Sequence, residues 1–380
     1  MSSIQKYSTW ADIDIAAIEN NVRLLVRSTE AQIMAVLKAN AYGHGVIPIS
    51  QAVRRAGATW CGLARVEEAL ELRYSGYDGP ILVLGFTAPG RVRSLIEADV
   101  AMAVWSEAQL ETFAHAASEV GKPARLHLKV DTGMSRLGIP AQDAQQLAGL
   151  IEKQCGVTFE GIFTHFARAD EEDPGPTEEQ EQSLRQVVEA LEQAGLRPPL
   201  VHAANSAASL ARTSAHFDML RVGIAIFGLH PSPQRRLPDG FRPALAWKSQ
   251  LSQVHLLPKG RGVSYGHEYV TRKAERIATV PVGYADGFRR VKGNVVLVGG
   301  QRVPVVGRVC MDQISLQLDQ VPEAKVGDEV VLIGEQGGEH MSVEEVAERW
   351  GTINYEVVCG LSPRVRRIYD SKKAGPISQA

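Results

Sequence analysis

Short apolar runs alternate with longer segments of helical period over the first 240 residues of the chain. The apolar runs have the length and composition of β-strands, and most of them are separated by segments with apolar residues at helical spacing. Sequential strands joined by helices run parallel, and eight of them can close into a barrel whose active site lies at the carboxyl ends of the strands. The pattern therefore predicts an α/β fold, a (β/α)8 TIM-like barrel. The predicted strands are residues 33–37, 60–63, 81–84, 101–104, 126–130, 159–163, 200–202 and 219–222.

The pattern changes after about residue 231, where a proline-rich segment leads into β-type runs separated by glycine turns. Gly299-Gly300 lies between two such runs, as in a hairpin. One helix is predicted for residues 342–350, with Ser342 as its N-cap. We therefore expect a mainly β C-terminal domain. The expected bounds are residues 10–240 for the barrel, 241–370 for the β-rich domain with residues 1–9 packing on it, and 371–380 for a flexible tail.

Charge and composition narrow the function to the handling of a small molecule. The 380 residues include 41 Lys and Arg against 43 Asp and Glu, so the basic excess typical of proteins that bind nucleic acid or membrane surfaces is missing. The N-terminus lacks the apolar core of a signal peptide, and no apolar run approaches the roughly 20 residues that cross a bilayer. We expect a cytoplasmic protein. The four cysteines form no CxxC pair, so neither a disulfide framework nor a metal site is indicated.

Lys38 stands at the end of an apolar run, directly before a turn that contains Gly43 and Gly45. A strand end presents its side chain at the mouth of a barrel, and glycines let the backbone turn tightly around an anion. A lysine that forms a Schiff base would suit this position, although an ordinary surface lysine has the same spacing. Other chemically active residues also follow predicted strand ends. They are Arg136, His165, Asn205 and Arg221.

Several ordered motifs resemble those of the bacterial alanine racemases, from Trp10 to Arg367. In the barrel the motifs are AVLKANAYGHG (residues 35–45), KVDTGMSRLG (129–138), THF (164–166) and RVGI (221–224). In the β-rich domain they are VSYG (263–266), GYADG (283–287), RVCMD (308–312) and NYE (354–356). The resemblance implies an enzyme that uses pyridoxal 5'-phosphate (PLP) to interconvert L-alanine and D-alanine. It also implies a head-to-tail homodimer.

The resemblance assigns the two bases of a racemase to Lys38 and Tyr265. Lys38 would form the Schiff base with PLP, and it would then exchange the α-proton of the PLP external aldimine on one face. Tyr265 of the partner subunit would exchange this proton on the opposite face. Tyrosine is a weak base near neutrality because its ordinary pKa is about 10. Nearby cations or an alkaline medium are therefore needed, and we expect activity to rise above neutral pH.

The family pattern places three further residues around the PLP ring. His165 would lie against the ring, and Arg136 would lie near the ring hydroxyl and the carboxylate of the substrate. Arg221 would face the ring nitrogen. Since an arginine stays protonated and can only donate, the ring would remain a weak electron sink. A short-lived carbanion that is reprotonated at the α-carbon suits a racemase better than a transaminase.

Without a P-loop sequence, the phosphate of PLP needs other donors. The family pattern assigns this binding to Tyr42, Ser206, Gly223, Ile224 and Tyr355, with Asn205 and His202 in support. Ser206 could instead simply cap a helix.

The remaining assignments concern the substrate and one modification. Met311 of the partner subunit would bind the substrate through its backbone amide, and Tyr284 and Tyr355 would narrow the entrance. Lys129 would be carbamylated and would orient Arg136, although an unmodified Lys129 paired with Asp131 or a bound anion fits the sequence nearly as well.

Ser135 replaces a glycine found in many relatives, a change that we expect to be neutral because Arg136 stays in register.

There are three alternatives, of which the sequence disfavours the second and the third. A broader racemase acting on serine or lysine is the nearest, but such enzymes tend to be exported and replace the tyrosine at position 355. A non-catalytic PLP-binding barrel would lack the β-rich domain and Tyr265. A PLP decarboxylase would carry an acidic residue in place of Arg221. The sequence does not distinguish D-alanine supply for cell-wall peptides from catabolic use of alanine.

Overall fold

The structure is a computed structural model that describes residues 7–370. The predicted tail, residues 371–380, therefore lies outside the described residues. The described residues divide into two compact units, of which one runs from Ala17 to Arg242 and the other combines residues 7–16 with residues 243–370. Residues 10–16, which the sequence pattern grouped with the barrel, belong to the second unit. The reason is strand β1 (Thr9–Asp14), whose partners are residues 245–249 and 366–370.

The first unit is a nearly closed barrel of parallel strands, as predicted. The strands pair in the order β10-β2-β3-β4-β5-β6-β8-β9, with β7 added beside β6. Backbone hydrogen bonds from Asp218 N to Val201 O (3.0 Å) and from Arg221 N to Ala204 O (2.9 Å) link the two end strands. The strands are β2 (Gln32–Val36), β3 (Trp60–Leu63), β4 (Ile81–Val83), β5 (Ala101–Val104), β6 (Ala124–Asp131), β7 (Ile139–Pro140), β8 (Val157–Phe163), β9 (Leu200–His202) and β10 (Met219–Val222).

Amphipathic helices connect these strands. In the helix over residues 46–55, Val46, Ile49 and Val53 recur at helical spacing and are buried. The helix over residues 107–120 begins at Ser106, whose side chain caps the Gln109 N–H. The helical segments are α1 (Ile15–Arg27), α2 (Lys38–Tyr42), α3 (Val46–Arg55), α4 (Val66–Tyr74), α5 (Val92–Glu97), α6 (Glu107–Val120), α7 (Ala144–Lys153), α8 (Gly175–Gln193) and α9 (Ser206–Ala211).

The barrel interior is filled by side chains in the manner of other eight-stranded barrels. One buried apolar cluster joins six of the strands. Its members are Met34, Trp60, Leu82, Ala101, Leu200 and Met219. Buried polar residues, including Lys129, His202 and Arg221, occupy later positions on β6, β9 and β10. The apolar layer therefore supports a polar layer nearer the carboxyl ends of the strands.

The second unit is mainly β, as predicted, and its largest sheet has the order β12-β15-β18-β17-β16-β19-β11-β1-β21, with β20 paired to β19. The predicted hairpin is confirmed, since Val298 pairs with Gln301 across Gly299-Gly300. Ser342 caps its helix by accepting from Glu345 N (3.0 Å), as expected. The elements are β11 (Leu245–Gln250), β12 (Gln253–Leu257), β13 (Gly262–Val263), β14 (Tyr269–Val270), β15 (Glu275–Val280), β16 (Val295–Val298), β17 (Gln301–Val306), β18 (Ile314–Gln317), β19 (Glu329–Gln336), β20 (Glu339–Met341), β21 (Arg366–Asp370), α10 (Val343–Trp350) and α11 (Asn354–Cys359).

Among residues 7–370, no helix is both long enough and apolar enough to cross a membrane. Within the same range, no group of three or more His, Cys, Asp or Glu side chains is arranged to hold a metal ion.

Candidate active site

Lys38 leaves the end of strand β2 as an exposed side chain, and the chain then turns in the left-handed sense. Ala39, Asn40, Ala41 and Tyr42 have φ angles between 51° and 54°, so α2 is a left-handed turn. Each non-glycine residue in this conformation costs roughly 1–2 kcal/mol. A run of four such residues persists only when the surroundings hold it in place.

The contacts that hold this turn come from Glu68 and Asn40. The Glu68 carboxylate accepts hydrogen bonds from Ala39 N (2.6 Å) and from the N–H groups of Ala64 and Arg65 at the start of α4. Asn40 Oδ1 accepts from Val46 N at 2.8 Å. The sequence analysis missed Glu68. Glu68 is the third residue after the N-cap of helix α4, a position where glutamate is typical. The N-cap itself is an arginine, however, so the sequence signal for this position is weak.

Tyr42, Ser206 and Gly223 lie together at the ends of neighbouring segments. The Tyr42 ring is buried against Phe227, with ring centroids 5.2 Å apart. A Cβ atom at position 223 would lie 2.4 Å from Tyr42 Oη, so only glycine fits beside this hydroxyl. Ser206 Oγ accepts from Gly223 N at 3.0 Å. These contacts bring two hydroxyl groups close to the backbone that follows β10.

Ser206 is not the cap of helix α9. Asn205 holds that position, and its side-chain oxygen accepts from Ala208 N at 3.0 Å. The Ser206 hydroxyl is thereby directed to the backbone of Gly223. Ile224, buried, begins the single 3-10 turn that follows. The capping role that the sequence left open for Ser206 thus belongs to Asn205.

Arg221 is buried on β10, with 4% of its surface exposed. Its guanidinium donates to Thr164 O (2.7 Å), His165 Nδ1 (3.1 Å) and His202 Nδ1 (3.4 Å). Burial lowers the pKa of Arg221 to about 9. Because a guanidinium can only donate, Nδ1 of both histidines must accept, and both rings are therefore neutral.

Lys129 and His165 complete a cluster of nitrogen-bearing side chains. Burial, followed by the charges of Arg221 and Arg136, lowers the pKa of Lys129 to about 7. Its Nζ lies 4.4 Å from the centroid of the Phe163 ring. Burial lowers the pKa of His165 well below its ordinary value, and nearby cations, including Lys38, add to this shift. The positive charge here comes from Arg221, Arg136 and Lys38, and it suits an anionic ligand.

Arg136 is exposed on the loop that follows β6. Asp131 holds this loop, because its Oδ1 accepts from Gly133 N (2.9 Å) and Ser135 N (3.0 Å). Burial opposes ionisation of Asp131, but the backbone N–H groups outweigh it and lower the pKa of this carboxyl. Ser135 has a φ of 54°, in the left-handed region. A glycine would adopt this angle without strain.

Tyr265, Tyr284 and Met311 lie on connected loops of the β-rich unit and are 69%, 46% and 52% exposed. Ser264 Oγ donates to Arg308 O at 2.6 Å, which fixes the turn that carries Tyr265. The backbone N–H of Tyr284 donates to Cys310 O (3.1 Å), and that of Ala285 donates to Met311 O (3.0 Å).

Tyr355 is the second residue of α11 and is half-buried. The predicted residues thus form one group in the barrel and another in the β-rich unit. The first group contains Lys38, Tyr42, Lys129, Arg136, His165, His202, Asn205, Ser206, Arg221, Gly223 and Ile224.

Comparison with known proteins identifies the family. Residues 13–231 match the model of the alanine racemase N-terminal domain, and residues 244–369 match that of the alanine racemase C-terminal domain. The chain belongs to the alanine racemase family. As an alanine racemase, the protein is an isomerase that interconverts L-alanine and D-alanine, which confirms the predicted enzyme class and function.

Individual alanine racemases match almost the whole chain. The alanine racemase of Symbiobacterium thermophilum is 43% identical over 369 residues, which cover 96% of this chain and 98% of the relative. The alanine racemase structure from Clostridium difficile 630 has a TM-score of 0.93 and 36% identity and covers 97% of each chain. A Bacillus anthracis alanine racemase with bound L-Ala-P has a TM-score of 0.90 and 39% identity, with 97% of this chain and 96% of that one covered.

Proposed function

We propose that this alanine racemase binds PLP at the carboxyl ends of the barrel strands, with Lys38 and Tyr265 of the partner subunit as its two bases. The observation that carries the proposal is the position of Arg221. Its strand, β10, pairs with β2, the strand that leads to Lys38. A buried donor-only cation and an exposed lysine therefore lie on adjacent strands at the same end of the barrel.

The residues around this end fit PLP. The hydroxyl groups of Tyr42 and Ser206 and the amides near Gly223 suit a phosphate, because backbone N–H groups and hydroxyls bind phosphate without a P-loop. The buried Ile224 N–H has no acceptor among residues 7–370, which leaves one donor available for an anion. Tyr355 would add a further hydroxyl to the phosphate, and Asn205 and His202 would support these residues from behind.

When bound, PLP would withdraw electrons from the α-carbon of an attached amino acid and make the α-proton removable. The Lys38 amine would remove or return this proton on one face. Tyr265 of the partner subunit would do the same on the other face. Proton return on the face opposite to removal inverts the configuration at the α-carbon.

Arg221 would keep the reaction on the racemase path. Its pKa of about 9 keeps the guanidinium protonated at neutral pH, so it would donate a hydrogen bond to the ring nitrogen without transferring its proton. His165 would lie against the ring. Limited electron withdrawal would favour the return of the proton to the α-carbon.

Lys129 has the properties of a lysine that reacts with CO2. A pKa of about 7 leaves much of the amine neutral and nucleophilic near neutral pH. The amine would add to CO2 and release one proton, which leaves a carbamate anion. That anion would orient Arg136 toward the substrate carboxylate and relieve the repulsion between Lys129 and the neighbouring arginines.

A homodimer would supply the second base. Tyr265, Tyr284 and Met311 form a group of exposed large side chains on the β-rich unit, and such groups commonly mark surfaces covered by another chain. The Met311 N–H has no acceptor among the described residues. It would bind the substrate carboxylate, while Tyr284 and Tyr355 would narrow the entrance to favour alanine.

The test is racemisation of L- and D-alanine by the PLP-loaded enzyme in deuterated buffer, followed by circular dichroism and by mass spectrometry of the product. We expect deuterium at the α-carbon, loss of conversion in Lys38→Ala, and loss of conversion from L-alanine in Tyr265→Phe. Lys153→Ala and Tyr74→Phe, on exposed helix positions, serve as matched controls. Unchanged turnover of L-alanine in Tyr265→Phe would rule out its role as a base.

A further inference from the structure

Arg221 is a buried cation without a carboxylate in contact. Among residues 7–370, its hydrogen-bond partners are one backbone carbonyl, His165 and His202. A buried charge is costly unless it is paired or fully hydrogen-bonded. The Phe163 ring, whose centroid is 5.4 Å from Arg221 Cζ, adds a cation–π contact, but an anion that balances the charge has to lie farther away.

A continuous series of side chains leads from Arg221 through the barrel interior to a carboxylate. His202 Nδ1 lies 3.4 Å from Arg221 Nη1, and His202 Nε2 lies 2.9 Å from His127 Nδ1. His127 Nε2 lies 3.4 Å from Glu160 Oε2. Both histidines are fully buried. We call Arg221, His202, His127 and Glu160 the interior polar chain.

The direction of the two hydrogen bonds in the interior polar chain follows from its cationic end. Because Arg221 can only donate, Nδ1 of His202 must accept, and the proton of the neutral His202 ring is on Nε2. That N–H donates to Nδ1 of His127. The proton of His127 is therefore on Nε2, which faces Glu160. The 3.4 Å contact between Nε2 and the Glu160 carboxylate does not have hydrogen-bond geometry, so it is an electrostatic contact that agrees with this direction but does not fix it.

Local structure in β8 creates room for this arrangement. Leu126 pairs with Phe159 and His127 pairs with Gly161, so Glu160 is an extra residue in a β-bulge. Bulges redirect side chains beside active sites. A Cβ atom at position 161 would lie 2.3 Å from His127 Nδ1, which makes glycine necessary beside the His127 ring.

The charge states of the two histidines and of Glu160 agree with these proton positions. Burial lowers the pKa of His127 and lowers that of His202 well below its ordinary value, so both rings are neutral. Burial opposes ionisation of Glu160, but its contacts with His127 and Arg125 outweigh this and lower its pKa. Glu160 is therefore an anion at neutral pH. Arg125 binds both oxygens of this carboxylate, with Nη2 2.7 Å from Oε1 and Nε 3.1 Å from Oε2, the oxygen that also faces His127.

We infer that Glu160 is the remote counter-ion of Arg221, acting through His127 and His202, and that Glu160 and His127 are positioning residues for racemisation. The interior polar chain keeps the His202 Nδ1 lone pair toward Arg221 and holds the guanidinium protonated and oriented. The catalytic consequence rests on the proposed contact between Arg221 and PLP. The tautomers themselves do not depend on the cofactor.

The first experiment is nitrogen-15 NMR of histidine-labelled protein, with and without PLP, in which two-bond correlations identify the protonated ring nitrogen. We expect His202 and His127 to carry their protons on Nε2 in both samples. A proton on Nδ1 of either ring would overturn the inference. This result is independent of turnover, so failure of the proposed PLP chemistry would be seen separately in the racemisation assay.

The second experiment compares His127→Asn with His127→Leu, two side chains of similar size. The Asn amide oxygen can replace Nδ1 as the acceptor for His202, whereas Leu cannot. We expect His127→Leu to lower kcat about tenfold with KM nearly unchanged, and to increase transamination relative to racemisation. His127→Asn should recover most of kcat and the wild-type partition. Equal kcat and partition in both variants and the wild type would contradict a positioning role.

Glu160→Gln tests the charge at the far end. Glutamine keeps the size of the side chain but removes the anion, so we expect lower kcat and more transamination. Arg125→Gln is the matched control, because it breaks the Arg125–Glu160 ion pair and leaves Glu160 facing His127. If Arg125→Gln reproduced the altered partition of Glu160→Gln, loss of the ion pair rather than of the counter-ion would be responsible. Urea unfolding of each variant separates these effects from global destabilisation.

Discussion

Lys129 is a residue whose protonation depends on the fold. It is buried, lies over the Phe163 ring and is flanked by Arg136 and Arg221. The folded protein therefore favours the neutral amine. Carbamylation would replace a neutral group by an anion among cations, which gives the modification an electrostatic advantage at this position.

This environment predicts a pH-dependent stability. Because the pKa of Lys129 is lowered from 10.5 to about 7 in the folded protein, the unfolded chain binds more protons between these values, and stability rises with pH across that window. We expect the free energy of unfolding to rise by about 1–3 kcal/mol more in the wild type than in Lys129→Met between about pH 7 and pH 9.5. Urea unfolding of both proteins in CO2-free buffer measures this difference. If the free energy of unfolding changed with pH in the same way in both proteins, Lys129 would not be a buried, unmodified amine.

Ser135 allows a test of backbone strain beside the site. Its φ of 54° is favourable for glycine and costly for serine, so Ser135→Gly should raise the free energy of unfolding by about 0.5–1 kcal/mol. Ser135→Ala keeps the strain and is the control. Thermal and urea unfolding measure the difference. A glycine variant less stable than the alanine variant would show that this angle is not strained.

The residues that follow strand ends could be proposed from the sequence, because the strand pattern places them at one end of a barrel. Lys38, Arg136 and His165 are of this kind. Glu160 and His127 could not be found in this way. Their relation depends on a bulge in β8 and on the register between β6 and β8, which the hydrophobic pattern does not record.

At the scale of elements, the left-handed turn α2 sets where Lys38 projects. The backbone strain of its four left-handed residues is offset by two hydrogen bonds, from Ala39 N to Glu68 and from Val46 N to Asn40. Glu68 also accepts two N–H groups at the start of α4, so one carboxylate joins the turn to a helix. The position of Lys38 therefore depends on a side chain in the next β/α unit.

Glu68→Gln should weaken this connection, because an amide has a single acceptor oxygen in place of a carboxylate that binds three N–H groups. We expect a loss of about 1–3 kcal/mol in the free energy of unfolding and a fall in kcat that exceeds any change in KM. Glu67→Gln is the matched control, since Glu67 is exposed and its nearest ion-pair partner, Arg91, is 3.8 Å away. Similar losses in both variants would indicate a general effect of charge on α4.

Strands and the Gly299-Gly300 hairpin were predictable because their signals are local. The bounds of β2, Gln32–Val36, differ by one residue at each end from the predicted 33–37. The assignment of β1 was not predictable, because its partner β11 is more than 200 residues away in the sequence. The left-handed turn was also hidden, since four consecutive non-glycine residues give no signal for positive φ angles.

At the scale of the whole molecule, the proposed dimer makes the active site a shared structure. Lys38 belongs to the barrel of one chain, and the second base would be Tyr265 of the partner subunit. An isologous or closed two-chain assembly then contains two equivalent sites, each with one base from each chain. Complementation between two inactive variants distinguishes this shared arrangement from one in which each site uses the bases of a single chain.

A mixed dimer of Lys38→Ala and Tyr265→Phe chains has one site that lacks both bases and one site that retains both. With different affinity tags on the two co-expressed chains, the purified mixed dimer should show about half of the wild-type activity toward L-alanine, because one of its two equivalent sites is intact. Dimers of either variant alone should be inactive in the same assay. If each chain instead supplied both of its own bases, every site in the mixed dimer would lack one base. The mixed dimer would then be as inactive as its parents, and the shared-site proposal would be wrong.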